Sequence, residues 1–201
     1  MFTNMSTNYA KYNNLINKFF LHFFFAKIDK ILKKKIDAPP LKILEVGCGE
    51  GFVLSRLVKL FPQADLVGID ISSQALLEAK KMCPQVELLE GDVQQLDFAD
   101  NQFDLVVCLE VLEHLPHPDQ ALREIVRVSK GRVLISVPWE PWFSLGNLLR
   151  GRWLKTKGRH PEHVNYWTRK DFNKWLQDAN LPISVQKFYS FPWLLFLLSK
   201  Q

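Results

Sequence analysis

Apolar positions recur at two different periods along this chain, and their alternation sets the fold expectation. Over residues 12–36, Leu15, Ile16, Phe19, Phe20, Phe23, Ile28, Ile31 and Leu32 fall at helical spacing, and Phe24 and Phe25 widen the apolar face. This predicts an amphipathic helix that Asp37-Ala38-Pro39-Pro40 stops. Leu41–Val46 is then a short continuous apolar run, as a strand buried on both faces requires. A helix over Phe52–Phe61, ended by Pro62, leads to a strand over Asp65–Ile69. Ser72 or Ser73 can cap a helix running to Met82, and Val86–Leu89 predicts the third strand. Phe103–Cys108 predicts the fourth. Pro118 opens a helix that reaches Ser129, Gly131 can end it, and Arg132–Val137 predicts the fifth strand.

Strands that alternate with helices imply right-handed crossovers and a parallel sheet. The pattern changes after residue 137. Residues 138–167 read as a long irregular insertion, of the kind that serves as a lid or binding loop. Thr168, with Asp171 three residues later, starts a helix to Ala179. Ile183–Phe188 and Leu194–Leu198, parted by Ser190-Phe191-Pro192, read as a hairpin, so one strand should run antiparallel. The whole, 201 residues and 47% hydrophobic, suits a single α/β domain over 1–201.

Charge adds a second pattern. The formal net charge is +5, but residues 38–149 are acidic on balance. The surplus lies in residues 1–37 (Lys11, Lys18, Lys27, Lys30, Lys33, Lys34 and Lys35 against Asp29 and Asp37) and in residues 150–170 (Arg150, Arg152, Lys155, Lys157, Arg159, Arg169 and Lys170 against Glu162). Such segments attract an anionic substrate or a membrane surface, or simply form a solvated face. No stretch reaches the length of about 20 apolar residues that spans a bilayer. Phe19–Ala26 lacks the flanks of a secretory signal. Cys48, Cys83 and Cys108 stand far apart, which fits a reducing, cytoplasmic compartment and no cysteine metal site.

The candidate chemistry follows the first strand, in Glu45-Val46-Gly47-Cys48-Gly49-Glu50-Gly51. A glycine-rich turn between a buried strand and a helix lets a ligand approach the backbone. Its spacing departs from the dinucleotide fingerprint G-x-G-x-x-G: the glycines stand at 47, 49 and 51, and Phe52 follows. Glu45 and Glu50 flank the turn, where carboxylates would repel a pyrophosphate and attract an ammonium or sulfonium group. The loop thus reads as built for a cationic, phosphate-free nucleoside, and a nicotinamide cofactor is disfavoured. Asp70 closes the second strand, where an acid accepts from both ribose hydroxyls. Asp92, in Gly91-Asp92-Val93, is placed at the end of the third, within reach of an adenine amino group. Each acid alone could be a helix cap; three in register with the loop point to a ligand.

At these residues the sequence resembles the class I S-adenosylmethionine-dependent methyltransferases, and most of all the small-molecule branch with the ubiquinone- and menaquinone-biosynthesis enzymes. The matching segments are ILEVGCGEGF (43–52), VGIDIS (67–72), EGDVQQLDFADNQFDLVVCLEVLEHLPHP (90–118) and GRVLISVP (131–138). The resemblance implies a three-layer, Rossmann-like sandwich with a seven-stranded, mostly parallel sheet whose last strand is antiparallel. It implies a cap (1–38), a cofactor-binding core (39–137), a lid (138–167) and a closing helix and hairpin (168–201). S-adenosylmethionine would be the cofactor and S-adenosylhomocysteine the product. Gly47, Cys48, Gly49 and Gly51 would meet its methionine part and Glu45 its amino group. Asp70 would hold the ribose, Ile71 would lie against the adenine, Asp92 and Val93 would fix the adenine edge, and Leu109 would sit near the methyl group.

Candidate bases are His114, beside Glu110 and Glu113 just past the fourth strand, and His163 of the HPEH run 160–163. Glu110 and His114 could equally just hold the turn. HPEH shows no third ligand at a sensible spacing, so no metal is expected. Trp139, Trp142, Phe143, Trp153, Tyr166 and Trp167 stand among the basic residues of the insertion. They suit a large, lipid-like acceptor with a negative group, an aromatic-stacked nucleic acid, or plain lid packing. The acceptor expected is small or lipid-like, methylated on oxygen or carbon, with the N-terminal helix packed on the domain or resting on a membrane. Two other classes remain: an RNA methyltransferase, disfavoured for want of a D/N-P-P-Y-type motif, and a non-catalytic cofactor-binding partner.

Overall fold

The computed structural model describes residues 15–36 and 42–201. Seven strands form one sheet: β1 (Lys42–Val46), β2 (Asp65–Asp70), β3 (Glu87–Glu90), β4 (Phe103–Leu109), β5 (Ser129–Pro138), β6 (Ile183–Ser190) and β7 (Trp193–Lys200). Their order is β3-β2-β1-β4-β5-β7-β6. β7 pairs antiparallel with both β5 and β6, and the other pairings are parallel. The order reverses between β1 and β4, which opens a crevice at their carboxyl ends.

Alternation along the central strands divides the core. Leu44, Val46, Val106, Cys108, Ile135 and Phe196 face a layer made by α4 (Pro118–Val128) and α6 (Arg169–Asp178). Ile43, Leu105, Val107, Leu134 and Leu195 face α1 (Leu15–Lys35) and α2 (Phe52–Leu60), with α3 (Ser73–Met82) beside them. This is the expected three-layer sandwich. Ser72 caps α3 by accepting from Ala75 N at 3.2 Å, and Thr168 and Asp171 form a reciprocal cap on α6.

Several expectations shift. Residues 12–14 and the Asp37–Pro40 stop lie outside the described residues. Of α1's apolar positions, Phe24, Ile28, Ile31 and Leu32 are buried, whereas Phe19 and Phe23 are exposed. Gly131 does not end a helix: α4 stops at Val128 and Gly131 lies inside β5. Asp92 stands two residues beyond β3 rather than at its end. The insertion 138–167 is not irregular throughout, for it holds α5 (Trp142–Leu149) and a short 3-10 turn at Leu154–Thr156. Among the described residues no helix is long and apolar enough to cross a membrane.

Candidate active site

The glycine-rich turn leaves β1 through three residues of left-handed backbone, Gly47, Gly49 and Gly51. Gly47 is required twice over: its φ is +69°, and a Cβ there would strike the Val111 side chain from the turn after β4. The absent side chain therefore lets the two strand-end loops close on each other. The N–H groups of Gly47 and Cys48 both donate to Ile69 O (2.8 and 3.0 Å), and Gly51 N donates to Cys48 O at 3.0 Å. Gly49 N donates to Asp70 Oδ2 at 2.7 Å. All four donors are taken up inside the protein, so they are not offered to a phosphate. At Gly49 the space where a Cβ would stand is open for 4 Å.

The acids behave differently from one another. Asp70, buried at the end of β2, accepts from Gly49 N and, through Oδ1, from Ser72 N at 2.9 Å. It thereby pins the turn after β1 to the turn after β2, and each oxygen keeps a second lone pair for a ligand hydroxyl. Asp92 accepts from Gln94 N at 2.8 Å and is partly exposed. Glu45 is 3% exposed, and its Oε2 has no hydrogen-bond partner among the described residues. Burial, and then the nearby Asp70 charge, push its carboxyl well above the usual carboxylate range. A cation delivered there would be met by a carboxylate that lacks one. Ile71 is 57% exposed beside this crevice, while Cys48, Val93 and Leu109 are buried.

Beyond β4 the chain turns through Glu110, a non-glycine residue at φ +58°. That conformation costs about 1–2 kcal/mol. The Glu110 carboxylate offsets it by accepting from Ser136 Oγ (2.7 Å) and Trp193 Nε1 (2.8 Å), which ties the turn to β5 and β7. Burial pushes its carboxyl up to about 7 despite these two donors. A 3-10 turn, Leu112–His114, follows. The lid docks on it: Val164 N and Asn165 N donate to Glu113 O (2.9 and 3.1 Å), and Asn165 Nδ2 donates to Leu112 O and Leu115 O. His114 Nδ1 lies 3.1 Å from Glu162 O; a carbonyl only accepts, so Nδ1 carries the proton and Nε2 is the basic nitrogen of the neutral ring.

This docking gathers groups that the sequence keeps far apart. The His163 ring centroid stands 4.7 Å from those of His114 and His160. Ligand atoms of Glu113, His114 and His163 all lie within 4.8 Å of one another. Glu113 is 1% exposed, its Oε2 has no partner among the described residues, and burial and then Glu110 raise its carboxyl well above the usual range. Phe143 stacks against His163 and Trp153 meets His160 edge-on, so aromatic rings wall the cluster.

Residues 44–135 match the family described as a methyltransferase domain. The match runs from β1 to β5 and takes in the glycine turn, Glu45, Asp70 and Asp92, and the turn after β4. From β1 to β5 the chain is a methyltransferase domain. It is 28% identical over 155 residues to the mitochondrial ubiquinone biosynthesis O-methyltransferase of Saccharomyces cerevisiae, covering 70% of this chain and 48% of that one. It is 35% identical over 136 residues to the demethylmenaquinone methyltransferase of Staphylococcus carnosus, covering 65% and 54%. The chain thus spans about half the length of these two relatives. Its fold superposes on the magnesium protoporphyrin IX methyltransferase of Synechocystis with a TM-score of 0.70, at 19% identity, covering 94% of this chain and 88% of that one.

Within this methyltransferase fold, the residues expected from the sequence fall into two neighbouring groups. Gly47, Cys48, Gly49, Glu45, Asp70 and Ile71 lie together at the carboxyl ends of β1 and β2, with Asp92 and Val93 on the loop after β3. His114 and His163 do meet, across the lid. One sequence inference needs correction, and one residue went unmarked. HPEH does have further potential ligands, since Glu113 and His114 reach His163 from the turn after β4. Asn165, which fastens the lid, carried no sequence signal, because its partners are backbone carbonyls some fifty residues away.

Proposed function

We propose that this methyltransferase binds S-adenosylmethionine in the acid-lined crevice and methylates a small, lipid-like acceptor, on a hydroxyl oxygen or a ring carbon, beneath the aromatic lid. The observation that carries the reading is the pairing of two features. One is a buried acid, Glu45, whose Oε2 has no hydrogen-bond partner among the described residues, beside a turn in which the N–H groups of Gly47, Cys48, Gly49 and Gly51 are occupied. The other is the Glu113, His114 and His163 cluster beside it. In the cofactor pocket, Glu45 faces the ammonium group, and Gly47, Cys48, Gly49 and Gly51 lie along the methionine part. Asp70 accepts from the ribose hydroxyls. Ile71 lies on the adenine, Asp92 and Val93 mark its edge, and Leu109 borders the methyl position.

The cofactor supplies a methyl group already activated by its positive sulfur. The protein's part is to align the acceptor, exclude water and take its proton. Alignment supplies about 7–11 kcal/mol in favourable cases. The lid contributes by holding Val164 and Asn165 against Glu113, closing aromatic walls over the crevice. The acceptor's proton passes to His114 or His163, with Glu113 beside them. Positioned bases of this kind contribute about 10²–10⁴-fold. A second reading of the cluster has its own support. Three ligand atoms from one carboxylate and two imidazoles lie within 4.8 Å, a set that suits a divalent cation able to hold and acidify a hydroxyl. Loss of turnover after dialysis against a chelator, restored by a divalent ion, would select that reading.

The relatives' names point to quinone-pathway acceptors, which favours a lipid-like molecule over RNA. The basic lid, residues 150–170, favours one with a negative group. Three free, buried thiols suit a reducing cytoplasm. Incubation with methyl-labelled cofactor and a panel of polyprenylated hydroxyaromatics in detergent is expected to give a product heavier by one methyl group. Labelling of RNA in place of the hydroxyaromatics, or of neither, would overturn the assignment.

A further inference from the structure

One apolar region of the described surface is left uncovered by the fold. On α5, Trp142, Leu145 and Leu149 recur at helical spacing yet are 43%, 42% and 80% exposed, whereas Ser144 and Asn147 are buried. The helix thus turns Trp142, Leu145 and Leu149 outward, while Phe143 packs against the core. Phe191, in the turn between β6 and β7, lies half exposed with its ring 6.4 Å from that of Trp142 and 6.1 Å from that of Phe20. Phe19, next to Phe20 at 5.9 Å, and Phe23 extend the ridge along α1. Such a ridge is larger in character than scattered surface apolar residues and calls for an occupant.

Cations border it. Trp142 and Phe191 share a groove of about 750 Å³ with Arg169 and Lys170. Lys155, Lys157 and Arg159 are exposed on the lid that α5 begins. Glu140 also lines the groove, but its carboxylate is engaged in accepting from Ser144 N and Oγ.

We propose that this ridge docks the protein on an anionic phospholipid bilayer, with Trp142, Leu145, Leu149, Phe191, Phe19 and Phe23 set among the acyl chains and Arg169 and Lys170 at the level of the phosphates. Aromatic and leucine side chains beside lysine and arginine match the two layers of a membrane interface, apolar below and negative above. A symmetric dimer through the same face would bring its cations against their own copies. The surface deepens the proposed function, since an acceptor dissolved in the bilayer would enter beneath the lid that rests on it. Its test uses no acceptor, so it stands or falls separately from methyl transfer.

Flotation with vesicles of phosphatidylcholine, with and without phosphatidylglycerol, tests the assignment. The protein is expected to float with the anionic vesicles, to float poorly with neutral ones, and to be released as salt rises. Leu145→Asp with Leu149→Asp, and separately Phe19→Asp with Phe23→Asp, should each weaken vesicle affinity by about tenfold or more. Both should keep binding S-adenosylhomocysteine, which shows that they fold. The proposal is overturned if the wild type stays in solution, if it floats equally with neutral vesicles, or if both variants float as well as it does. A wild-type dimer that the same substitutions dissolve would also overturn it, by making the ridge a contact between copies.

Discussion

Asp70→Ala is expected to weaken binding of S-adenosylhomocysteine about a hundredfold or more, the loss of two charge-assisted hydrogen bonds at about 1.5–3 kcal/mol each. The effect should be large because the residue acts in two ways. Its oxygens are the proposed acceptors for the ribose hydroxyls, and they already accept from Gly49 N at 2.7 Å and Ser72 N at 2.9 Å. Without them the glycine turn loses its tie to β2, so the surface proposed to meet the methionine part loosens too. Asp70→Asn keeps one acceptor oxygen and should fall between alanine and wild type. Calorimetric titration reads the affinities, and circular dichroism on each variant confirms the fold. Wild-type affinity in Asp70→Ala would remove the ribose from this end of the sheet.

The second large effect is expected at Glu113. Glu113→Gln should lower turnover by about 10²–10⁴-fold while leaving affinity for S-adenosylhomocysteine unchanged. Its backbone carbonyl holds the lid through Val164 N and Asn165 N, and the amide variant keeps that contact. What the variant loses is the buried carboxyl whose Oε2 is unpartnered among the described residues, beside His114 and His163. A drop in kcat without a drop in cofactor affinity would mark a group that serves the reaction. An unchanged kcat would leave Glu113 as a hinge for the lid and nothing more.

The legible parts of this fold were those whose signals are local. The apolar runs that became β1, β2, β4 and β7 are buried by both layers, so each reads as a strand on its own residues. Glycines 47, 49 and 51 adopt the left-handed backbone that their spacing suggested. Thr168 and Asp171 cap each other as three-residue spacing allows. The helix α5 was not legible, because its pattern is inverted. Ser144 and Asn147 face inward and Gly146 weakens the helical signal, so Trp142, Leu145 and Leu149 did not mark a core face. Gly131 misled for a related reason: glycine suits a helix end, yet here β5 runs straight on from α4 through Ser129.

The site divides the same way. Glu45 and Asp70 were readable as acids at the carboxyl ends of their strands, since their places follow from the sheet's polarity. The meeting of Glu113, His114 and His163 was not, because it depends on the lid folding back over a turn from which His163 is separated by α4, β5 and α5. Sequence spacing, which argued against a third ligand for HPEH, has no hold on a contact of that kind.

Titration of the purified chain with S-adenosylhomocysteine and, in parallel, with NAD measures the electrostatic fit of the crevice directly. Heat is expected with the adenosyl ligand and none with the pyrophosphate. The heat should vary with the ionisation enthalpy of the buffer, because burial raises the Glu45 carboxyl, and an ammonium group beside it would favour the charged form and send the released proton to the buffer. Heat with NAD, or none with S-adenosylhomocysteine, would contradict a cleft made for a cation without phosphates.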